Sequence, residues 1–201
     1  MRLAVSLQGE QQARARLEGI KGGFERVLRG ALNTTATEAR KTLYVQPLAV
    51  AFKGASVRKR LVIKRANSRR LNARIIPSSS GVEVIQYKRW GFDPISPTRA
   101  RVWVMGPGGR KIAAGFVNPA GDKRQPLSTR SSRARSVGPG ARNPQVTSYT
   151  YRRALQNAQG PSVAYWFRQL TTPKAVRWVS AFLQQEVERR IRRELIRTGR
   201  A

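Results

Sequence analysis

Two stretches repeat their apolar residues with a helical period. Phe24, Val27, Leu28, Ala31, Leu32, Thr35, Ala39 and Leu43 share one face, the spacing of an amphipathic helix. Its back half, A-L-N-T-T-A-T-E-A-R, is slim enough for another backbone to pack closely, or is simply buried. Pro47 brings no amide hydrogen, so this helix is expected to end at or shortly before Gln46. The second stretch starts at Pro173, a residue suited to a helix N-terminus. Val176, Val179, Leu183, Val187, Ile191 and Leu195 carry it to about Arg197, and Gly199 ends it. Glu186–Arg190 and Glu188–Arg192 are spaced as i, i+4 ion pairs. Glu186, Glu188 and Glu194 thus read as acids paired on an exposed helix face. Glu10 to Leu17 is expected to be a shorter helix, interrupted by Gly19, Gly22 and Gly23.

Other stretches alternate with period two, the mark of a half-buried strand. Leu3, Val5 and Leu7 form one. Leu71, Ala73 and Ile75 form another, followed by the turn cluster Pro77 to Gly81 and a strand over Val82 to Tyr87; these two are expected to pair as a hairpin. Asp93-Pro94 and Ser96-Pro97 suggest an irregular connection. Arg101 to Met105 is a third strand of this series, and Ile112, Ala114 and Phe116 a fourth. Between them G-P-G-G-R-K (Gly106 to Lys111) lacks the G-x-x-x-x-G-K-[ST] spacing of a phosphate loop and reads as a hairpin turn. Val146 to Leu155 is either one more strand or an extended arm.

From Ala55 to Ile76 the chain mixes both kinds of residue. Arg58, Lys59, Arg60, Lys64, Arg65, Arg69, Arg70 and Arg74 fall inside it, with no acid between Glu38 and Glu83. Leu61, Val62, Ile63, Leu71, Ala73, Ile75 and Ile76 are interleaved with them. A disordered basic tail would lack those apolar residues, so a folded element with a cationic face is expected. Ser56 can cap a short helix carrying Val57 and Leu61, while Leu61-Val62-Ile63 can equally be extended. Asn118 to about Gln145 has no periodicity and is rich in Pro, Gly, Ser and Arg; it is expected to be a projecting basic arm.

Composition changes the picture through charge. The 201 residues hold 40 Lys+Arg against 10 Asp+Glu, a formal charge of +30. Such a balance calls for a polyanion or an acidic partner. Arg58, Lys59, Arg60, Lys64, Arg65, Arg69, Arg70, Arg130, Arg133, Arg135 and Arg142 are the candidate contacts to nucleic acid or an acidic partner. With 40% hydrophobic residues the chain can build a core, and one domain spanning 1–201 is expected.

The chain contains no Cys and no His. That removes Ser-His-Asp triads, thiol nucleophiles and His-ligated metals. The ten acids are scattered, so no enzyme, metal or cofactor is expected. No run approaches the roughly 18 apolar residues of a transmembrane helix, and the N-terminus has no signal-peptide pattern. No membrane is expected, and a cytoplasmic site of synthesis is. Zinc fingers, basic zippers and RNA-binding sheet signatures are absent too, so any nucleic-acid contact would be chiefly to phosphates.

One family shares the order of several short motifs. N-T-T-A-T-E-A-R (Asn33 to Arg40) precedes V-R-K-R-L (Val57 to Leu61), K-R-A (Lys64 to Ala66) and L-N-A-R-I (Leu71 to Ile75). G-F-V (Gly115 to Val117), G-P-S-V (Gly160 to Val163) and a terminal helix ending in E-L (Glu194, Leu195) follow. In this the chain resembles the phage minor tail protein Z family, tail completion proteins of lambda-type long flexible tails. The resemblance runs from about Gly19 to Leu195 and leaves out Pro119 to Thr150. It implies a structural virion protein of the tail or neck, assembled in the host cytoplasm and needed for head joining. The implied partners are a homo-oligomeric ring, six-fold by expectation, a tail terminator or tube protein, the tape-measure protein and the packaged DNA. The competing expectation is a free nucleic-acid-binding protein of nucleoid or ribosomal type. In either case the expected fold is α+β, a small antiparallel sheet packed against two long amphipathic helices.

Overall fold

The computed structural model describes residues 9–18, 23–53, 56–97, 99–118, 124–128 and 156–199. The expected strand at Leu3 to Leu7, most of the 118–145 arm and the Val146 to Leu155 segment lie outside these residues. The fold is α+β, and the chain falls into two compact units.

The first unit draws on Met1–Pro47, Val57–Ser78 and Phe167–Ala201. Its helices are α1 (Glu10–Arg16), α2 (Gly23–Ala39) and α6 (Pro173–Arg197). Their apolar faces meet in one cluster: Ala13, Leu17, Phe24, Val27, Ala31, Leu183, Val187 and Ile191. The Thr172 side chain caps α6 by accepting from the Ala175 amide, with Pro173 in the first turn.

The expected Glu186–Arg190 pair forms at 2.8 Å, but the acids of α6 do not share an exposed face. Glu186 and Glu194 are buried, 6% and 8% exposed. Glu186 accepts from Arg189 and Arg190, and Glu194 from Arg26 of α2 and Arg197. Glu188 reaches Arg16 at 2.8 Å rather than Arg192. Helical spacing names possible neighbours on one element but not a partner arriving from another.

Beyond α2 the helix does not stop before Pro47. Arg40–Val45 forms a π-helical turn, and α3 (Gln46–Ala51) follows. Buried residues on α2 stand four apart at Val27, Ala31, Thr35 and Ala39, then five apart to Tyr44. The extra residue in the wide turn absorbs that offset, so Tyr44 is buried and Leu43 only half so. The Gln46 amide bonds back to the Lys41 carbonyl, five residues away. Pro47 then sits in the first turn of α3, where a missing amide hydrogen costs little. Tyr44 stacks on Phe167 with ring centroids 4.1 Å apart.

The short helix α4 (Ser56–Lys59) begins at Ser56 itself and ends before Leu61, and it leads into β1 (Leu61–Lys64), so Leu61 to Ile63 takes the extended reading rather than continuing the helix. β1 pairs antiparallel with β2 (Arg74–Pro77), with Val62 opposite Ile76 and Lys64 opposite Arg74. The expected hairpin between Leu71–Ile75 and Val82–Tyr87 does not form. Leu71 and Ala73 lie before β2, and only β3 (Val82–Glu83) is extended. Val84–Gln86 takes a 3-10 turn, which buries Val84 and Tyr87 without strand alternation.

The second unit draws on Leu48–Ser56 and Ser79–Trp166. It holds β3, β4 (Trp90–Ser96), β5 (Arg99–Gly106), β6 (Gly109–Val117), β7 (Leu127–Ser128), β8 (Gln156–Asn157) and β9 (Gln159–Gly160). The order is β3-β9-β6-β5-β4, with β7 on β6 and β8 on β7. The stretch through Pro94, expected to be irregular, is strand β4; it lies at the sheet edge, where proline is tolerated. The Gly106-to-Gly109 turn joins β5 to β6, as spacing indicated, and Gly109 takes φ +94°. A side chain at Gly106 would run into the ring of Trp166. That ring is fixed, because its Nε1 donates to the Tyr87 hydroxyl, which donates to the Pro161 carbonyl. α5 (Val163–Leu170) follows, its first turn capped by Ser162.

Candidate functional site

The cationic stretch becomes a defined surface of the first unit. Along β1 the side chains alternate: Leu61 is buried, Val62 exposed, Ile63 half-buried and Lys64 exposed. Cross-strand pairing puts Ile76 and Arg74 on the face of Val62 and Lys64. The opposite face, with Leu61, points inward. One side of the ribbon is therefore core and the other a mixture of aliphatic and cationic groups.

Around this ribbon stand Arg58 and Lys59 on α4, Arg65 at the end of β1, and Arg69 and Arg70 in the β1–β2 connection; all five are exposed. Arg60 is half-buried, and its carbonyl accepts from the Ser78 amide at 2.8 Å. Among the described residues none of Arg58, Lys59, Lys64, Arg65, Arg69 or Arg70 is ion-paired. The other candidates, Arg130, Arg133, Arg135 and Arg142, lie outside the described residues.

The ribbon is tied to α2 by two groups that sequence reasoning did not count as part of the site. Asn33 donates from Nδ2 to the Ala66 carbonyl at 3.1 Å and accepts the Ala66 amide on Oδ1 at 2.8 Å. Arg40, in the π-helical turn, donates to the Leu61 carbonyl at 3.3 Å. Burial, then the nearby cations Arg58 and Arg65, hold its guanidinium below its ordinary pKa. Arg40 thus joins the cationic group from behind. The available signal was positional: Asn33 and Arg40 stand seven apart on one helix, hence on one face, and an Asn inside a helix calls for a side-chain partner.

Asn67 shapes the outer end of the ribbon. Its Oδ1 accepts the amides of Arg69 and Arg70 at 3.0 and 2.8 Å, and its own amide donates to the Arg70 carbonyl at 3.0 Å. This Asx turn closes the connection and displays two adjacent arginines.

Asp93 pairs with Arg110 and accepts from Trp103 Nε1, while the Arg110 guanidinium lies 4.7 Å from the Trp103 ring centroid. Among the described residues no group of three His, Cys, Asp or Glu is placed to hold a metal ion, and no helix is long and apolar enough to cross a membrane. No family model, curated protein or solved structure matches this chain.

Proposed function

We propose that this chain is a structural virion protein that completes a phage tail at its head-proximal end and makes it competent for head joining. Its role is contact, not catalysis. The observation that carries this reading is the acid-free cationic face built on α4, β1, β2 and Arg40, which is suited to the end of packaged DNA or to an acidic neighbour in the tail. The motif order shared with the minor tail protein Z family supplies the setting. A ring of copies, six-fold by analogy with the tail tube, would bring these faces around one axis, beside the terminator or tube protein and the tape-measure protein.

The test is a null mutant examined by electron microscopy of lysates. Filled heads and tails of normal length that join poorly, or join without infectivity, are expected. Tails of the wrong length point instead to a length-control or terminator role, and normal infectivity removes the reading. A free nucleoid or ribosomal protein would be missing from purified virions, whereas a tail protein is retained in them.

A further inference from the structure

We propose that the β1–β2 ribbon is a duplex-DNA-binding arm that seats in a groove, with the Arg69–Arg70 turn and the Arg58–Lys59 helix on the flanking phosphates. The proposal rests on the reading of the cationic face given above and commits it to one ligand and one mode. Three observations lead there.

The first is shape. β1 and β2 pair only with each other, as a two-stranded sheet. Strands about 4.8 Å apart, each about 13 Å long for four residues, make a ribbon that the roughly 12 Å major groove of B-DNA admits. The ribbon is also held ready. Leu61 is fully buried beneath it; Arg40 and Ser78 fix its base, and Asn33 fixes the start of its connecting loop at Ala66, all through hydrogen bonds to backbone groups. A prearranged element loses little freedom on binding.

The second is the distribution of charge. The cations lie along the ribbon and at its end, where the Asx turn at Asn67 displays Arg69 and Arg70 side by side. Most are arginines, whose planar forks match phosphate oxygens. Among the described residues Arg58, Arg65, Arg69 and Arg70 have no ion pair, and such a row of guanidinium groups fits a polymer with regularly spaced phosphates.

The third is the apolar content of the free face. Val62 is 53% exposed and Ile76 39%, directly opposite each other between cations. Two aliphatic side chains are too few for the apolar centre of a protein interface, where charged residues are depleted. They suffice to touch thymine methyl groups on a groove floor. The observations therefore favour duplex DNA over an acidic protein segment.

The experiment uses the full chain and a short mixed-sequence duplex, with binding followed by fluorescence anisotropy over a range of salt. The R69S/R70S variant should reduce the log–log salt slope by about 1.8, at about 0.9 for each phosphate no longer neutralised. V62Q/I76Q should weaken binding several-fold with the slope unchanged. R192S/R193S, on exposed positions of α6, should do neither. Circular dichroism checks that each variant is folded. An unchanged slope in R69S/R70S, or an equal loss in the α6 control, overturns the proposal. So does a wild-type chain that ignores the duplex while binding poly-L-glutamate at the same salt. That last result would assign the ribbon to an acidic protein neighbour and leave the tail-completion reading to its own test in the null mutant.

Discussion

Thr35 lies on the buried face of α2, 4% exposed, and among the described residues its hydroxyl has no hydrogen-bond partner. A hydroxyl in that position gives up its bonds to water and receives nothing in return. The site is shaped for a branched side chain, so Thr35→Val keeps the volume and removes the orphaned oxygen. The expected result is a gain of about 1 kcal/mol, seen as a higher midpoint in chemical or thermal unfolding. A loss would mean that the hydroxyl is bonded after all. Glu186 and Glu194 present the opposite case at the same scale. They are buried yet well served: each carboxylate receives more than one guanidinium.

At the scale of elements, the junction of α2 with the ribbon decides how well the cationic face is held. Asn33 satisfies both backbone groups of Ala66, which is itself 5% exposed. Asn33→Ala would leave a buried N–H and C=O without partners, at a cost of about 2 kcal/mol. The expected outcome is a lower unfolding midpoint together with faster hydrogen exchange at the Ala66 amide. Unchanged exchange there would show that the ribbon does not depend on this clamp. The long helices were legible because their periodicity extends over many turns and their ends carry local signals: Pro173 at the start of α6 and Gly199 after it. The β5–β6 hairpin was legible for the same reason, through its Gly-Pro-Gly-Gly turn. What local pattern could not reveal was pairing over distance. β3 joins Gln159–Gly160, and β1 finds β2 across a nine-residue connection rather than through the nearer turn cluster. The continuation through Pro47 was hidden because a proline after a helical run reads as the helix's end, while the π-helical turn before it, in which Tyr44 is buried, leaves no local signal in the sequence. Arg58, Lys59, Lys64, Arg65, Arg69 and Arg70 were named from a stretch that excludes acids, and all six are exposed. Arg40 and Asn33 were missed because their roles depend on the ribbon returning to α2.

At the scale of the whole chain, 40 cations against 10 acids make electrostatic self-repulsion a standing cost of compaction. Repulsion among exposed charges is screened by salt, so the thermal midpoint at neutral pH should rise as salt is added through the physiological range. A protein stabilised mainly by surface ion pairs would respond in the opposite direction. Acid should sharpen the effect, and the sign follows from two carboxyls. Burial works to raise the pKa of Glu186, but the hydrogen bonds from Arg189 and Arg190 outweigh it and leave the pKa below the usual glutamate value. Glu194 is lowered by its hydrogen bond from Arg197, against a smaller opposing effect of burial, with further help from Arg26. A pKa lower in the folded state than in the unfolded one contributes stability that is fully present above the unfolded value. It is lost as pH falls through the folded value. Stability should therefore be flat near neutrality and decline from about pH 4 downward, as these carboxyls and the other acids protonate and the net charge climbs from +30 toward +40, the 40 Lys+Arg with no acid left ionised. The double variant E186Q/E194Q should unfold at a lower temperature at neutral pH, with a shallower decline in acid. Melting curves across pH and salt for the two proteins test this directly: parallel pH profiles would show that the two glutamates are not the groups through which acid acts.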